Sequence, residues 1–372
     1  MGKLMIIMNV ASHYRQAIYQ RIDDNYDCEW FFGPVLAGVK QMDTSRLKNV
    51  HMCRRIGSKP YILLGVLKYV FKKDVSAFLM LGEIGFLTPW LVTAFVKIFY
   101  RDKKIYYWCH GLYGNESKCK LFLKKIQFVP ADIIFTYGEH ARALMQKLGF
   151  DGNKVVAVHN SLDYELELRL RESIVKSDIY YTHFRNTNPV IIFIGRLTAT
   201  KRLDLLIEAL SILKNRGCDC NLVFVGNGEM AEKLRIQGKE MDLNDQLWFY
   251  DECYDERLNS ELLYNADVCV SPGNVGLTAM HSMMFGCPVI SHNRIELQMP
   301  EFEAIIEGQT GAFFEYGNSE SLASCIQKWL SQMSNRNCVR QRCYEEIDSY
   351  WTPDFQMSVF NKYLDVGVKI SK

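Results

Sequence analysis

No two of the twelve cysteines in this 372-residue chain form a Cys-x-x-Cys pair, which removes the commonest zinc and dithiol signatures. Cys218-Asp219-Cys220 is too isolated to be half of a zinc site. No Asp-x-Asp occurs, and no His, Asp or Glu cluster has metal-ligand spacing. Neither a divalent ion nor a cofactor is therefore expected. Long apolar runs are missing too. The longest charge-free apolar stretch, Ile84–Val96, is thirteen residues interrupted by Pro89, against roughly 20 for a helix that spans a bilayer. Met1–Val10 reads as the start of a strand and not as a secretory leader, so the cysteines are expected to be reduced cytosolic thiols, mostly core. Low-complexity tracts, short repeats and nucleic-acid motifs are absent from the sequence, and no nucleic-acid partner is expected.

What is present is an ordinary globular composition, 48% apolar and 23% charged, long enough for two domains. The net charge of +2 conceals an asymmetry: residues 1–160 hold 23 Lys+Arg against 12 Asp+Glu, and the remainder holds 21 against 30. The basic half suggests an anionic ligand or membrane surface. Short apolar runs alternate with amphipathic stretches throughout. Leu4–Met8, Cys28–Phe32, Phe78–Leu81, Ile105–Trp108, Ile133–Phe135 and Val155–Val158 form one strand series. Val190–Ile194, Leu222–Val225, Leu247–Tyr250, Val268–Val270, Val289–Ile290 and Ala312–Phe314 form a second. This alternation predicts an α/β protein of two doubly wound Rossmann-like domains facing across a cleft. The expected division is 1–162, an aperiodic linker at 163–188, a second domain at 189–350, and a C-terminal helix at 351–372 returning to the first domain.

The polar residues at predicted strand ends form a short list. Ser271-Pro272-Gly273-Asn274-Val275-Gly276-Leu277 opens a helix that ends at Gly286 and carries Thr278 and His281; its first amides suit a phosphate, although an ordinary βαβ packing unit reads the same way. Gly195-Arg196 through Lys201 sets two cations where a strand ends and a helix begins, against the helix dipole, which makes sense if an anion is shared with them. Gly226-Asn227-Gly228 with Ala231 and the distal Asp251 is a loose dinucleotide fingerprint. His110 ends a strand of the first domain, and either a turn histidine or a sugar-binding one fits there. After the first strand, Ser12 is placed to cap a helix bearing His13, Tyr14 and Arg15, which could hold an anionic acceptor or form an exposed turn. Tyr61–Lys73, apolar with three lysines, reads as a helix for a membrane interface or for the core.

Together these stretches resemble the family-4 glycosyltransferases of GT-B architecture, of the bacterial polysaccharide-assembly type. The resemblance is carried by Val158–Asp163, Gly195-Arg196-Leu197 with Lys201 and Asp204, Gly226-Asn227-Gly228, Asn265-Ala266-Asp267, and Ser271-Pro272 through Gly286-Cys287-Pro288-Val289-Ile290. It implies a cytoplasmic, retaining, metal-independent transferase with a UDP- or GDP-linked sugar as donor and a saccharide or lipid-linked saccharide as acceptor, in capsule, O-antigen or exopolysaccharide synthesis. By the same likeness Arg196 and Lys201 hold the diphosphate, with Gly195, Gly226 and Asn227 shaping the nucleotide pocket. The amides of Gly273, Asn274, Val275, Gly276 and Leu277 then meet sugar and phosphate, and His110 faces the sugar. His13, Tyr14 and Arg15 resemble an acceptor loop, and the basic half would rest peripherally on the inner membrane surface. Where the family has two glutamates, this chain has Gly273 and His281; in the family the first contacts donor-sugar hydroxyls and the second the ribose. A nucleotide-sugar epimerase, a nicotinamide oxidoreductase and a non-catalytic partner subunit are the rival readings.

Overall fold

The computed structural model describes residues 2–35, 39–332 and 335–367. The chain divides into two compact units, Met1–Asp163 with Trp351–Lys372, and Tyr164–Tyr350. In unit 1 the order is β1 (Lys3–Met8), α1 (Gln16–Asn25), β2 (Cys28–Phe32), β3 (Val50–Met52), β4 (Arg55–Ile56), β5 (Ile62–Leu63) and β6 (Val75–Leu81). It continues with α2 (Leu87–Phe99), β7 (Lys104–Cys109), α3 (Lys118–Phe128), β8 (Ile133–Thr136), α4 (Glu139–Lys147) and β9 (Val155–Ala157). Seven strands form one parallel sheet in the order β3-β2-β1-β6-β7-β8-β9, and β4-β5 is a separate small hairpin. Buried residues cover both of its faces, one set around Trp30, Trp108 and Phe135, the other around Phe78, Tyr107 and Phe128. That two-sided cover is why its strands read as continuous apolar runs and not as alternations.

Unit 2 begins with α5 (Tyr164–Ser173) and α6 (Ile179–Phe184), where the sequence reading expected a linker. Buried Glu167 and Tyr180, whose hydroxyl donates to the Leu262 carbonyl at 2.6 Å, tie these helices to the unit. Its core elements are β10 (Val190–Ile194), α7 (Leu203–Asn215), β11 (Asn221–Val225), α8 (Ala231–Glu240), β12 (Leu247–Asp251) and α9 (Glu256–Asn265). Then come β13 (Val268–Ser271), α10 (Leu277–Met284), β14 (Val289–His292), β15 (Gly311–Phe314), α11 (Ser319–Gln332) and α12 (Arg336–Tyr350). All six strands are parallel, in the order β12-β11-β10-β13-β14-β15.

The chain then returns to unit 1 as α13 (Pro353–Tyr363). Thr352 caps it, its side chain accepting from the Phe355 amide at 3.1 Å, with Pro353 in the first turn where no amide is needed. Phe360 inserts between Trp108 and Phe135, ring centroids 5.1 and 4.9 Å away. Gln356 donates to the His159 carbonyl at 2.9 Å and accepts from Ser161 at 2.5 Å. The expected tail helix at 351–372 falls partly on residues 368–372, which lie outside those described. Tyr61–Lys73 is not a helix: Gly65, at φ +87°, divides it into β5 and a single 3-10 turn, Leu67–Tyr69.

Candidate active site

The strand order of unit 2 fixes where a ligand fits. Winding runs from β10 outward to β12 on one side and to β15 on the other, so the loops leaving β10 and β13 diverge at the switch point and leave a crevice. Those loops are residues 195–202 and 272–276, two of the stretches marked by their sequence.

The two loops are locked together. A Cβ on Gly273 would stand 2.0 Å from the Thr200 carbonyl oxygen and 2.7 Å from the Lys201 backbone, so only glycine fits. The Gly273 amide donates to the Lys201 carbonyl at 2.8 Å, Lys201 Nζ donates to the Asn274 carbonyl at 2.7 Å, and Thr278 Oγ1 donates to the Ile194 carbonyl at 3.1 Å. The Val275 amide is taken by Gln298 Oε1 at 2.8 Å. Two of the five amides expected to meet an anion are therefore committed internally. Those of Gly276 and Leu277, at the start of α10, have no acceptor among the described residues. Ser271 Oγ and Asn274 Oδ1 are buried without a hydrogen-bond partner among the described residues.

Lys201 ends a 3-10 turn, Ala199–Lys201, and does not begin the next helix; Arg202, in the left-handed region at φ 49°, makes the connection to α7. Burial lowers the Lys201 pKa from its ordinary value; the Glu301 charge opposes that shift and the Arg196 charge adds to it. A partly desolvated ammonium beside a second cation gains more from an incoming anion than a fully solvated one. Arg196 is exposed and has no ion pair among the described residues. Glu301, 3% exposed, has Oε2 within 4.0 Å of the Cβ position of Gly276. It sits in the 3-10 turn Pro300–Ala304, and nothing in its sequence spacing connects it to Lys201.

Gly226 and Gly228 each make room for a close approach of backbone. A Cβ on either would meet the Gly195 carbonyl oxygen at 2.0 Å or that of Leu197 at 2.4 Å. Leu197 and Met230 amides donate across the same contact, to the carbonyls of Asn227 at 2.9 Å and Leu197 at 3.0 Å. The dinucleotide-like pattern is thus accounted for by two strand-exit loops packed backbone to backbone. Its distal acid, Asp251, is engaged by Arg235 at 3.0 Å. Asn227 is exposed, its Oδ1 accepting from the Gly228 amide at 2.8 Å.

His281 faces two carboxylates that sequence reading did not connect with it. Its Nε2 lies 3.1 Å from Glu256 Oε2, and Glu167 completes a group whose ligand atoms all lie within 4.8 Å of one another. Sequence spacing, which shows no such cluster, does not reach this one: α5, α9 and α10 assemble it from residues far apart along the chain. The three atoms are spaced for one divalent ion, and equally for an imidazolium bridging two carboxylates. Burial lowers the His281 pKa, but the Glu256 hydrogen bond and the charges of Glu167 and Glu256 outweigh it, leaving the value raised.

In unit 1, Ser12 precedes a 3-10 turn, His13–Arg15, without a side-chain cap bond. His13 is exposed and Tyr14 half-buried, whereas Arg15 is 8% exposed. The Arg15 guanidinium donates to the Tyr137 hydroxyl and lies over Trp108 and Tyr137, 4.9 and 5.0 Å from the ring centroids. The exposed-turn alternative therefore fails for Arg15. Tyr137 also lies 4.8 Å from the His110 ring, so Arg15 and His110 share one neighbour. Burial lowers the His110 pKa to about 4, with the Arg15 and Lys124 charges adding to it, so the ring is neutral near pH 7. Its Nδ1 is buried with no partner among the described residues. The following loop is stapled by Glu116, which accepts from the Tyr113 and Gly114 amides at 2.9 and 3.0 Å and pairs with Lys124 at 2.9 Å.

These geometries define a two-unit parallel α/β protein of GT-B architecture. Anabaena HepE in complex with UDP superposes with a TM-score of 0.71, at 14% identity, over 97% of this chain and 99% of that one. The apo lipopolysaccharide outer core galactosyltransferase WaaB gives 0.70, at 14% identity, over 97% and 99%. Residues 181–346, all within unit 2, match the family model described as Glycosyl transferases group 1. A GDP-mannose-dependent alpha-(1-6)-phosphatidylinositol dimannoside mannosyltransferase of Mycobacterium tuberculosis is 27% identical over 161 residues, 42% of this chain and 40% of that protein. The putative glycosyltransferase EpsD of Bacillus subtilis is 26% identical over 198 residues, 50% of this chain and 49% of that protein. The chain thus spans less than half the length of either curated relative.

Proposed function

We propose that this chain is a retaining, metal-independent glycosyltransferase that moves a hexosyl group from a UDP- or GDP-linked sugar to a saccharide or lipid-linked acceptor in bacterial polysaccharide assembly. The observation that carries the reading is the crevice at the β10/β13 switch point. Its two loops carry the half-buried Lys201, the exposed Arg196, and the amides of Gly276 and Leu277, which have no acceptor among the described residues, inside the segment matched to the group 1 family model. The diphosphate lies against these groups. As the bond from the anomeric carbon to the phosphate oxygen breaks, they stabilise the charge growing on that oxygen. The acceptor hydroxyl bonds to the same face of the carbon and passes its proton to the departing phosphate, so no protein nucleophile is required. Gly226 and Asn227 border the nucleotide. His281 and Glu256 together serve the ribose hydroxyls, the carboxylate of Glu256 standing in for the one that position 281 lacks. Neutral His110 offers Nδ1 to a sugar hydroxyl, and His13, Tyr14 and Arg15 form the acceptor side. The basic half rests on the cytoplasmic membrane face, where a lipid-linked acceptor would be found.

The test is thermal stabilisation by UDP, GDP and NAD, followed by donor turnover with a lipid-linked acceptor, with and without EDTA. Stabilisation by UDP or GDP and EDTA-resistant turnover with retained anomeric configuration are expected. Stabilisation by NAD alone would overturn the reading. Gly273 gives one rival its footing, because this backbone leaves no room for the first family glutamate. Nucleotide binding without turnover on any donor would assign the chain as a non-catalytic partner subunit.

A further inference from the structure

The helices α2 and α3 lie side by side on one face of the unit 1 sheet, since β6, β7 and β8 are adjacent parallel strands joined through them. Their inner residues, among them Val92, Val96 and Phe128, belong to the core. Their outer surfaces are also apolar. On α2 the outward positions are Leu87, Leu91, Ala94 and Ile98, spaced by four, three and four residues, with Phe99 beside them. Ile98 and Phe99 are 67% and 61% exposed. On α3 and its C-cap they are Phe122 at 62%, Leu123, Ile126 and Val129. Lys97 is the one charged residue in α2. A helix apolar all round belongs in a core or against an apolar medium, and neighbouring stripes of this kind mark an interaction surface.

The rim says what covers it. Lys68, Lys72, Lys73, Arg101, Lys118 and Lys120 are exposed around these helices, and residues 61–132 carry 11 Lys+Arg against 5 Asp+Glu. We infer that the outer face of α2 and α3 docks on an anionic lipid bilayer, with Phe99, Phe122, Ile126 and Val129 among the acyl chains and the lysines at the headgroups. Neither helix spans: at about 1.5 Å per residue, α2 reaches about 20 Å against a hydrocarbon core of about 30 Å. The inference deepens the peripheral contact proposed above by naming its surface and lipid class, and it does not depend on sugar transfer.

The test uses the full chain and two vesicle types, phosphatidylcholine alone and phosphatidylcholine with phosphatidylglycerol. Co-sedimentation is expected with the anionic vesicles, weakening as salt is raised. Phe122→Glu with Ile126→Glu should lower the partition by more than roughly tenfold, and Lys118→Glu with Lys120→Glu should reduce it on anionic vesicles. Because these side chains are exposed, both variants should keep the parent melting temperature and its shift with UDP or GDP. That shift separates failure here from failure of the transferase reading. No binding by the parent, or equal binding by the Phe122/Ile126 variant, would overturn the inference. So would a parent that is dimeric in solution and turns monomeric in that variant, because the face would then belong to a second copy.

Discussion

Replacing Gly273 by alanine tests the locked loops most directly. The added Cβ would sit 2.0 Å from the Thr200 carbonyl oxygen, about 1 Å inside any tolerable contact, and it abuts backbone, which cannot swing aside as a side chain would. The 3-10 turn at Ala199–Lys201 must therefore shift, and overpacking of this kind costs about 1–3 kcal/mol. Moving the turn also stretches the 2.7 Å bond from Lys201 Nζ to the Asn274 carbonyl, a charged hydrogen bond of the class worth about 1.5–3 kcal/mol. For a unit of this size each kcal/mol lowers the melting temperature by about 2–4 °C, so the overpacking alone lowers it by roughly 2–12 °C in scanning calorimetry, and the stretched bond adds to that fall. Nucleotide-diphosphate affinity, read by isothermal titration, should drop about tenfold or more. Gly273→Glu supplies the residue of the resembling family at that position, yet it should behave no better, since its Cβ meets the same oxygen. A Gly273→Ala protein with unchanged melting temperature and affinity, or a Gly273→Glu protein with raised turnover, would refute the reasoning.

Lys201→Met keeps the stem and removes the charge. Nucleotide affinity should fall by about 1.5–3 kcal/mol, roughly ten- to a hundredfold by titration calorimetry, and loss of the bond to the Asn274 carbonyl should lower the melting temperature of unit 2 without unfolding it. The raised His281 pKa makes unit 2 pH-sensitive in a definite direction. The stabilisation is fully present below the ordinary histidine value, about 6.5, and is lost as pH rises through the higher folded value. Urea unfolding across that range should show the loss, and His281→Gln should flatten it; a parallel slope in the variant would exclude His281 as its source. Phe360→Ala empties a site between Trp108 and Phe135 and should destabilise unit 1 by about 3–5 kcal/mol, visible as a lower denaturation midpoint with little effect on unit 2.

Parallel sheets buried on both faces write themselves into sequence as apolar runs, and β2 and β10 coincide with the expected ranges, Cys28–Phe32 and Val190–Ile194. Short elements at an edge leave no such trace: β3, three residues long and only partly buried, passes unseen. The stretch at 163–188 hid two short helices because α5 is largely charged and α6 is a single short segment. Glycines showed that something comes close, but not what comes close. The sequence sets Gly273 and Gly226 beside a ligand, whereas what stands closest to both in the structure is the chain's own backbone. The side chains that surround the candidate groups, Glu167 and Glu256 at His281, Glu301 at Lys201 and Tyr137 at Arg15, were illegible for one reason. Each arrives from another element, and single-sequence spacing reports only neighbours along the chain.

The placement of α13 has a consequence for how the molecule is made. Unit 2 is one uninterrupted segment, whereas unit 1 is split, its last helix separated from the rest by all of unit 2. During synthesis at about 5–20 residues per second, the groove that receives Phe360 stays open for some 10–40 s after the remainder of unit 1 has emerged. The later-emerging unit can finish folding first. A chain truncated after Tyr350 should hold a protease-resistant unit 2 beside a cleavable unit 1, and a separately supplied peptide carrying Pro353–Tyr363 is the reagent to protect it.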